Sequence, residues 1–197
     1  MITISKKEVH KFLDEHPDIP FSAAKFEYSF YLEPEAVEYA NAISEKMFVE
    51  SEEDLYSKKM IEQAATAEEL LKLMRKSLSG GNRSRLRKKV LEYEKEIMPL
   101  IKEKTMKSGQ DIFIENTLYF FLHCEGNCCD WILKEYSNIW NEYLKSMLCL
   151  VLGFRGEVEM IPFLMKETVR LERMYPEETY AQAPILAIQE LAVRFLN

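Results

Sequence analysis

The stretch YLKSMLCLVLGFRGEVEMIPFLMKE, Tyr143 to Glu167, constrains the fold more than any other part of the chain. Trp140, Tyr143, Leu144, Met147, Leu148 and Val151 recur at the period of one helix face. Gly153 and Gly156 mark a Gly-x-x-Gly corner. Pro162 follows near the start of a second apolar segment, where proline suits the first turn of a helix. The unit reads as helix, corner, helix.

The unit has copies upstream. EIMPLIKEKT (Glu96–Thr105) matches EMIPFLMKET (Glu159–Thr168) with one residue of slack. Lys-Glu pairs fall at Lys102-Glu103, Lys134-Glu135 and Lys166-Glu167, 32 residues apart each time. FFLHCEGN (Phe120–Asn127) lies over LVLGFRGE (Leu150–Glu157), which sets Gly126 on Gly156. A period near 32 with two helices per unit predicts helix pairs stacked into a solenoid.

The rest of the chain fits an all-α fold. Six Gly and seven Pro are few for 197 residues, which favours long helices and short corners. No alternating run bounded by hairpin turns competes. Ser5 with Glu8, and Thr66 with Glu69, have capping-box spacing, so helices are expected over Ser5–His16 and Thr66–Ser79. Further helices are expected from Pro34 to about Val49, over Glu52–Ala64, Asp111–Cys124, Cys128–Tyr136, Ile139–Leu152, Glu157–Met174 and Tyr180–Leu196. The aromatic stretch 21–32 reads equally as a short helix or an extended piece. Gly80-Gly81 is expected to stop a helix. Asn82 to Lys107 is expected to be helical, kinked or divided at Pro99. The expected organisation is a single helical domain, with irregular helices over 1–81 capping helix pairs over 82–197.

SMLCLVLGFRGEVEMIPFLMKE resembles a short HEAT repeat of the phycobilisome-lyase type. Leu152-Gly153, Gly156 and Ile161-Pro162-Phe163-Leu164 carry the resemblance, and Ala183-Pro184-Ile185-Leu186 repeats the last element weakly. It covers roughly Leu91 to Asn197. The chain departs from that pattern in Met147, Leu148 and Cys149, where alanine is preferred, and in Glu157, where Asp is usual. The resemblance implies an α-solenoid, a right-handed superhelical stack of antiparallel helix pairs. It also implies a protein-interaction or scaffolding module, because solenoids offer extended concave surfaces.

Catalytic signals are sparse. No Gly-rich phosphate loop, HExxH or GxSxG occurs. His123, Cys124, Glu125, Cys128, Cys129 and Asp130 form the one dense group of potential ligands, but two well-separated CxxC-like pairs are missing. Adjacent helical residues such as His123 and Cys124 do not face each other. Buried thiols at a tight corner are therefore expected, with no metal, no cofactor and no catalytic set. An apolar stretch long enough for a signal peptide or a membrane span is absent, so a cytoplasmic protein is expected.

Charge is distributed unevenly. The net charge is −7, yet residues 75–107 carry 11 basic and 4 acidic side chains. Arg83, Arg85, Arg87, Lys88 and Lys89 form the densest part and could bind phosphates. Some HEAT-like proteins are DNA glycosylases that grip duplex with a basic concave face, so nucleic-acid binding is the alternative reading. The acidic flanks, net −8 over 1–74 and −6 over 108–197, oppose a long polyanion. The expected partner is another protein, with Trp131 and Arg155 as further contact candidates and no role at a membrane.

Overall fold

The computed structural model describes residues 4–16 and 51–196, together with Glu35, Glu38, Tyr39, Ala42 and Ile43. The stretch 21–32 lies outside the described residues. So does most of the helix expected from Pro34, although the five described positions within it are helical. Among the described residues there are ten α-helices and two 3-10 turns, and no strand. None of these helices is long and apolar enough to cross a membrane. The chain divides into two compact units, residues 29–126 and residues 1–28 with 127–197.

The unit of residues 29–126 contains α2 (Glu52–Gln63), α3 (Ala67–Leu73), α4 (Gly80–Glu92), α5 (Glu94–Thr105) and α6 (Asp111–His123). Ser51 with Asp54 and Thr66 with Glu69 form full capping boxes that start α2 and α3. From α3 onward each helix packs on the next. Each also packs on the next but one, α2 on α4, α3 on α5 and α4 on α6. Helix α6 is apolar nearly all round and buries Phe113, Ile114, Leu118, Phe120 and Phe121.

Two boundaries here differ from the sequence expectation. Gly80 and Gly81 open α4 instead of closing α3, which already ends at Leu73. The freed carbonyls explain the early stop. Asn116 Nδ2 donates to Met74 O at 2.9 Å, and Gln110 Nε2 donates to Arg75 O at 2.7 Å. Pro99 does not divide the segment. The break falls at Tyr93, and Pro99 sits in the second turn of α5. There it forfeits only the bond to Lys95 O, close to an end whose first donors have no helical partner anyway.

The other unit contains α1 (Lys6–Asp14), α7 (Cys129–Glu135) with a 3-10 turn at Tyr136–Asn138, α8 (Glu142–Arg155), a 3-10 turn at Val158–Met160, α9 (Ile161–Met174) and α10 (Gln182–Phe195). Ser5 and Glu8 form the capping box of α1. Helix α10 packs on α8, α9 and α1, and α7 packs on α8. Gly153 is no corner. It lies within α8, and a Cβ there would stand 2.4 Å from the Cα of Ala187 on α10. The absent side chain lets the two backbones approach. Gly156 alone ends α8, and Pro162 sits in the first turn of α9. Trp140 lies outside α8 and is 62% exposed, because Asn141 caps the helix by accepting Leu144 N–H at 2.8 Å.

Candidate functional site

The basic band lies on α4, and its five cations are engaged within the fold. Arg87 is buried. Its Nε donates to Asn116 Oδ1 at 3.0 Å, and its guanidinium lies 4.7 Å from the Tyr119 ring centre. Lys89 Nζ donates to the carbonyls of Ile61 and Glu62 at 2.8 and 2.7 Å, a cation on the C-terminal end of α2. Lys88 pairs with Glu38, whose hydrogen bond raises the ammonium above its ordinary range. Arg83 lies 3.6 Å from Glu115, and Arg85 donates to Asn82 Oδ1 at 3.1 Å. Arg83 and Arg87, one turn apart, share a face of α4, with Arg87 buried against α6 and Arg83 half-exposed at the start of the helix beside Glu115.

The cysteine corner is a packing feature. All four cysteines are buried, and none forms a disulfide. Cys124 directs its thiol at the carbonyls of Phe121 and Gly126, 3.7 and 3.5 Å away. Arg155 Nη1 donates to Cys128 Sγ at 3.7 Å, and Cys129 N–H to Asn127 Oδ1 at 2.9 Å. His123 packs against Tyr119 at a tilt of 42°, with ring centres 4.3 Å apart. Trp131 is half-buried on α7. Among the described residues no group of three His, Cys, Asp or Glu side chains is arranged to hold a metal ion.

A polar network that the sequence did not announce runs between α7, α8 and α9. Tyr136 Oη donates to Glu167 Oε1 at 2.8 Å, both residues being buried. Arg170 forks onto Glu167 with bonds of 2.9 and 2.6 Å and also binds Glu142. Lys145 Nζ donates to Glu142 Oε1 at 3.1 Å. Cys149 Sγ lies 3.3 Å from Tyr136 Oη. Burial pushes the Glu142 carboxyl up, but the hydrogen bonds from Arg170 and Lys145 outweigh it and hold the group below its usual value. The Glu167 hydrogen bonds hold Arg170 above its own.

This trio of Cys149, Tyr136 and Glu167 has the look of a nucleophile with its relay. Its electrostatics favour a lock. Burial pushes the Cys149 thiol up to about 12 and raises the Tyr136 phenol as well. At neutral pH both groups keep their protons, and a thiol is a poor nucleophile. The network satisfies the polar groups of three helices at their common seam. One clue was available in the sequence, the i, i+3 spacing of Glu167 and Arg170.

The same unit holds a half-open cavity of about 300 Å³ where α1 and α9 end and α10 begins. Glu15, Glu172 and Glu178 line it, with His16, Tyr175 and Ile185. His16 Nδ1 lies 2.7 Å from Phe12 O and Nε2 lies 3.3 Å from Glu172 Oε2, while the ring stacks on Phe12 at 4.1 Å. No protein-family model, no curated protein and no solved structure matches the chain.

Proposed function

We propose that the chain is a protein-interaction module built on a short, HEAT-like stack of helix pairs. One observation carries the reading. In the unit of residues 29–126, α2, α3 and α4 each pack on the helix two places further along the chain. That order of contacts is what a solenoid of helix hairpins produces, since each pair buries its face on the next pair. The corner homology between Gly126 and Gly156 supports the same plan. The step from solenoid to binding is an argument from architecture.

Polyanion binding through Arg83 to Lys89 has less support. Each of those five cations already holds a partner within its unit, and releasing Arg87 or Lys89 would expose buried acceptors. Affinity capture from the native cell at native expression level tests the main reading. A protein recovered in near-stoichiometric amount, and rebinding as a purified pair, is the expected result. Heparin or duplex binding with no such protein would overturn it.

A further inference from the structure

Acidic groups outnumber basic ones around the cavity where α1 and α9 end and α10 begins. Three carboxylates, Glu15, Glu172 and Glu178, line it, and no Lys or Arg is in the lining, although Lys11 Nζ reaches Glu15 Oε1 at 3.6 Å on the exposed side of α1. Glu15 is the C-cap of α1 and Tyr175 is the C-cap of α9, so the negative ends of two helices reach it. Helix α10 starts on the same rim at Gln182, and its positive end offsets only one of them. His16, the one basic group in the lining, is already held between Phe12 O and Glu172. Tyr175 and Ile185 supply an aromatic and an aliphatic wall.

We propose that this cavity receives an arginine side chain of the partner protein. The inference rests on the interaction reading above and gives that partner a chemistry. A volume of about 300 Å³ is at the small end of ligand sites and suits one long side chain better than a cofactor. A guanidinium pairs with carboxylates through a planar fork and lies flat on a tyrosine ring, while its alkyl stem covers an aliphatic wall. Charge complementarity selects the cation, and the mixed wall selects a side chain over a bare metal ion.

The test uses the full chain labelled with ¹⁵N and three probes: acetyl-Gly-Arg-Gly-amide, its citrulline counterpart and spermidine. The arginine peptide is expected to shift amides between Glu172 and Ile185. Its binding should weaken several-fold as salt screens the carboxylates. Citrulline, isosteric but neutral, should shift them at least about 5-fold less. Glu178→Gln, an exposed position, should remove most of the effect without unfolding the chain. Equal shifts with citrulline, or full binding by Glu178→Gln, would overturn the proposal. Tighter binding of spermidine at the same amides would overturn the peptide source in favour of a free polyamine. If a partner is captured with undiminished affinity by Glu178→Gln, the cavity assignment fails and the interaction reading stands. If arginine binds here but no partner protein is found, the interaction reading fails instead.

Discussion

The two glycine corners that the sequence superposes are closed by opposite chemistry. At Gly126 the corner offers donors. The N–H groups of Glu125 and Gly126 both bond to the Glu94 carboxylate, at 2.7 and 2.8 Å. At Gly156 the corner offers acceptors. The carbonyls of Gly153 and Gly156 both receive Arg194 Nη2, at 2.8 and 2.7 Å. The glycines differ too. A Cβ at Gly126 would meet only side-chain ends, Glu94 Oε1 at 3.1 Å and Met98 Cε at 3.6 Å, whereas one at Gly156 would stand 2.3 Å from Leu152 O. A shared sequence motif thus fixes where the chain turns, and the surrounding helices decide which backbone groups the turn leaves to be satisfied.

Alanine scanning of the glycines should break the symmetry most. Gly153→Ala forces a Cβ into the backbone of Ala187 and is expected to cost about 3 kcal/mol. Gly156→Ala should cost nearly as much, and Gly126→Ala about 0.5 kcal/mol, since a carboxylate can shift where a backbone cannot. Urea denaturation of the three variants measures this. Equal costs at 126 and 156 would show that the corners are alike after all.

Removing the staples comes next. Arg194→Ala leaves two carbonyls without their donor and is expected to cost about 2 kcal/mol. Glu94→Gln keeps one acceptor for the two N–H groups and should cost about 1 kcal/mol. Hydrogen exchange at the Gly126 amide should quicken in Glu94→Gln and stay unchanged in Arg194→Ala.

The same contrast explains what could be read in advance. Helix class, the Ser5 and Thr66 capping boxes and the turns at Gly126 and Gly156 rest on local rules, and they stand. The Lys-Glu pairs show the limit. Glu103 is exposed and bonds Lys107 one turn on, while Glu167, its counterpart in the repeat, is buried and bonds Tyr136 and Arg170. Identical local sequence says nothing of which face meets a neighbour. Gly153 shows it again, as a glycine read for turning that serves a helix crossing. The cavity joins residues 15–16 to residues 172–185, and no local pattern brings the two stretches together.

Acid separates the regions by a smaller amount. Glu142 has a folded value below its unfolded one, because Arg170 and Lys145 outweigh its burial. Its contribution is complete above the unfolded value and disappears as pH falls through the lower folded value. Stability should therefore decline on acidification below the ordinary carboxylate range, and Glu142→Gln should flatten that decline. Tyr136→Phe, which takes one donor from Glu167, should cost about 1 kcal/mol at neutral pH. An unchanged acid limb in Glu142→Gln would assign the decline to other carboxylates.

The smallest effects are expected on the rim of the basic band. Arg83 is 43% exposed at its side chain and sits 3.6 Å from Glu115, a geometry that contributes little in water. Arg83→Gln should change stability by less than about 0.5 kcal/mol. Lys89→Met, which strips a cation from two carbonyls at the end of α2, should cost about 1 kcal/mol. Heparin retention is the sharper readout of the pair. If the band serves the fold, the two variants differ in stability and neither alters retention. A loss of retention in Arg83→Gln at unchanged stability would instead make the rim of α4 a polyanion surface, and the one basic region of an acidic chain would need a functional reading.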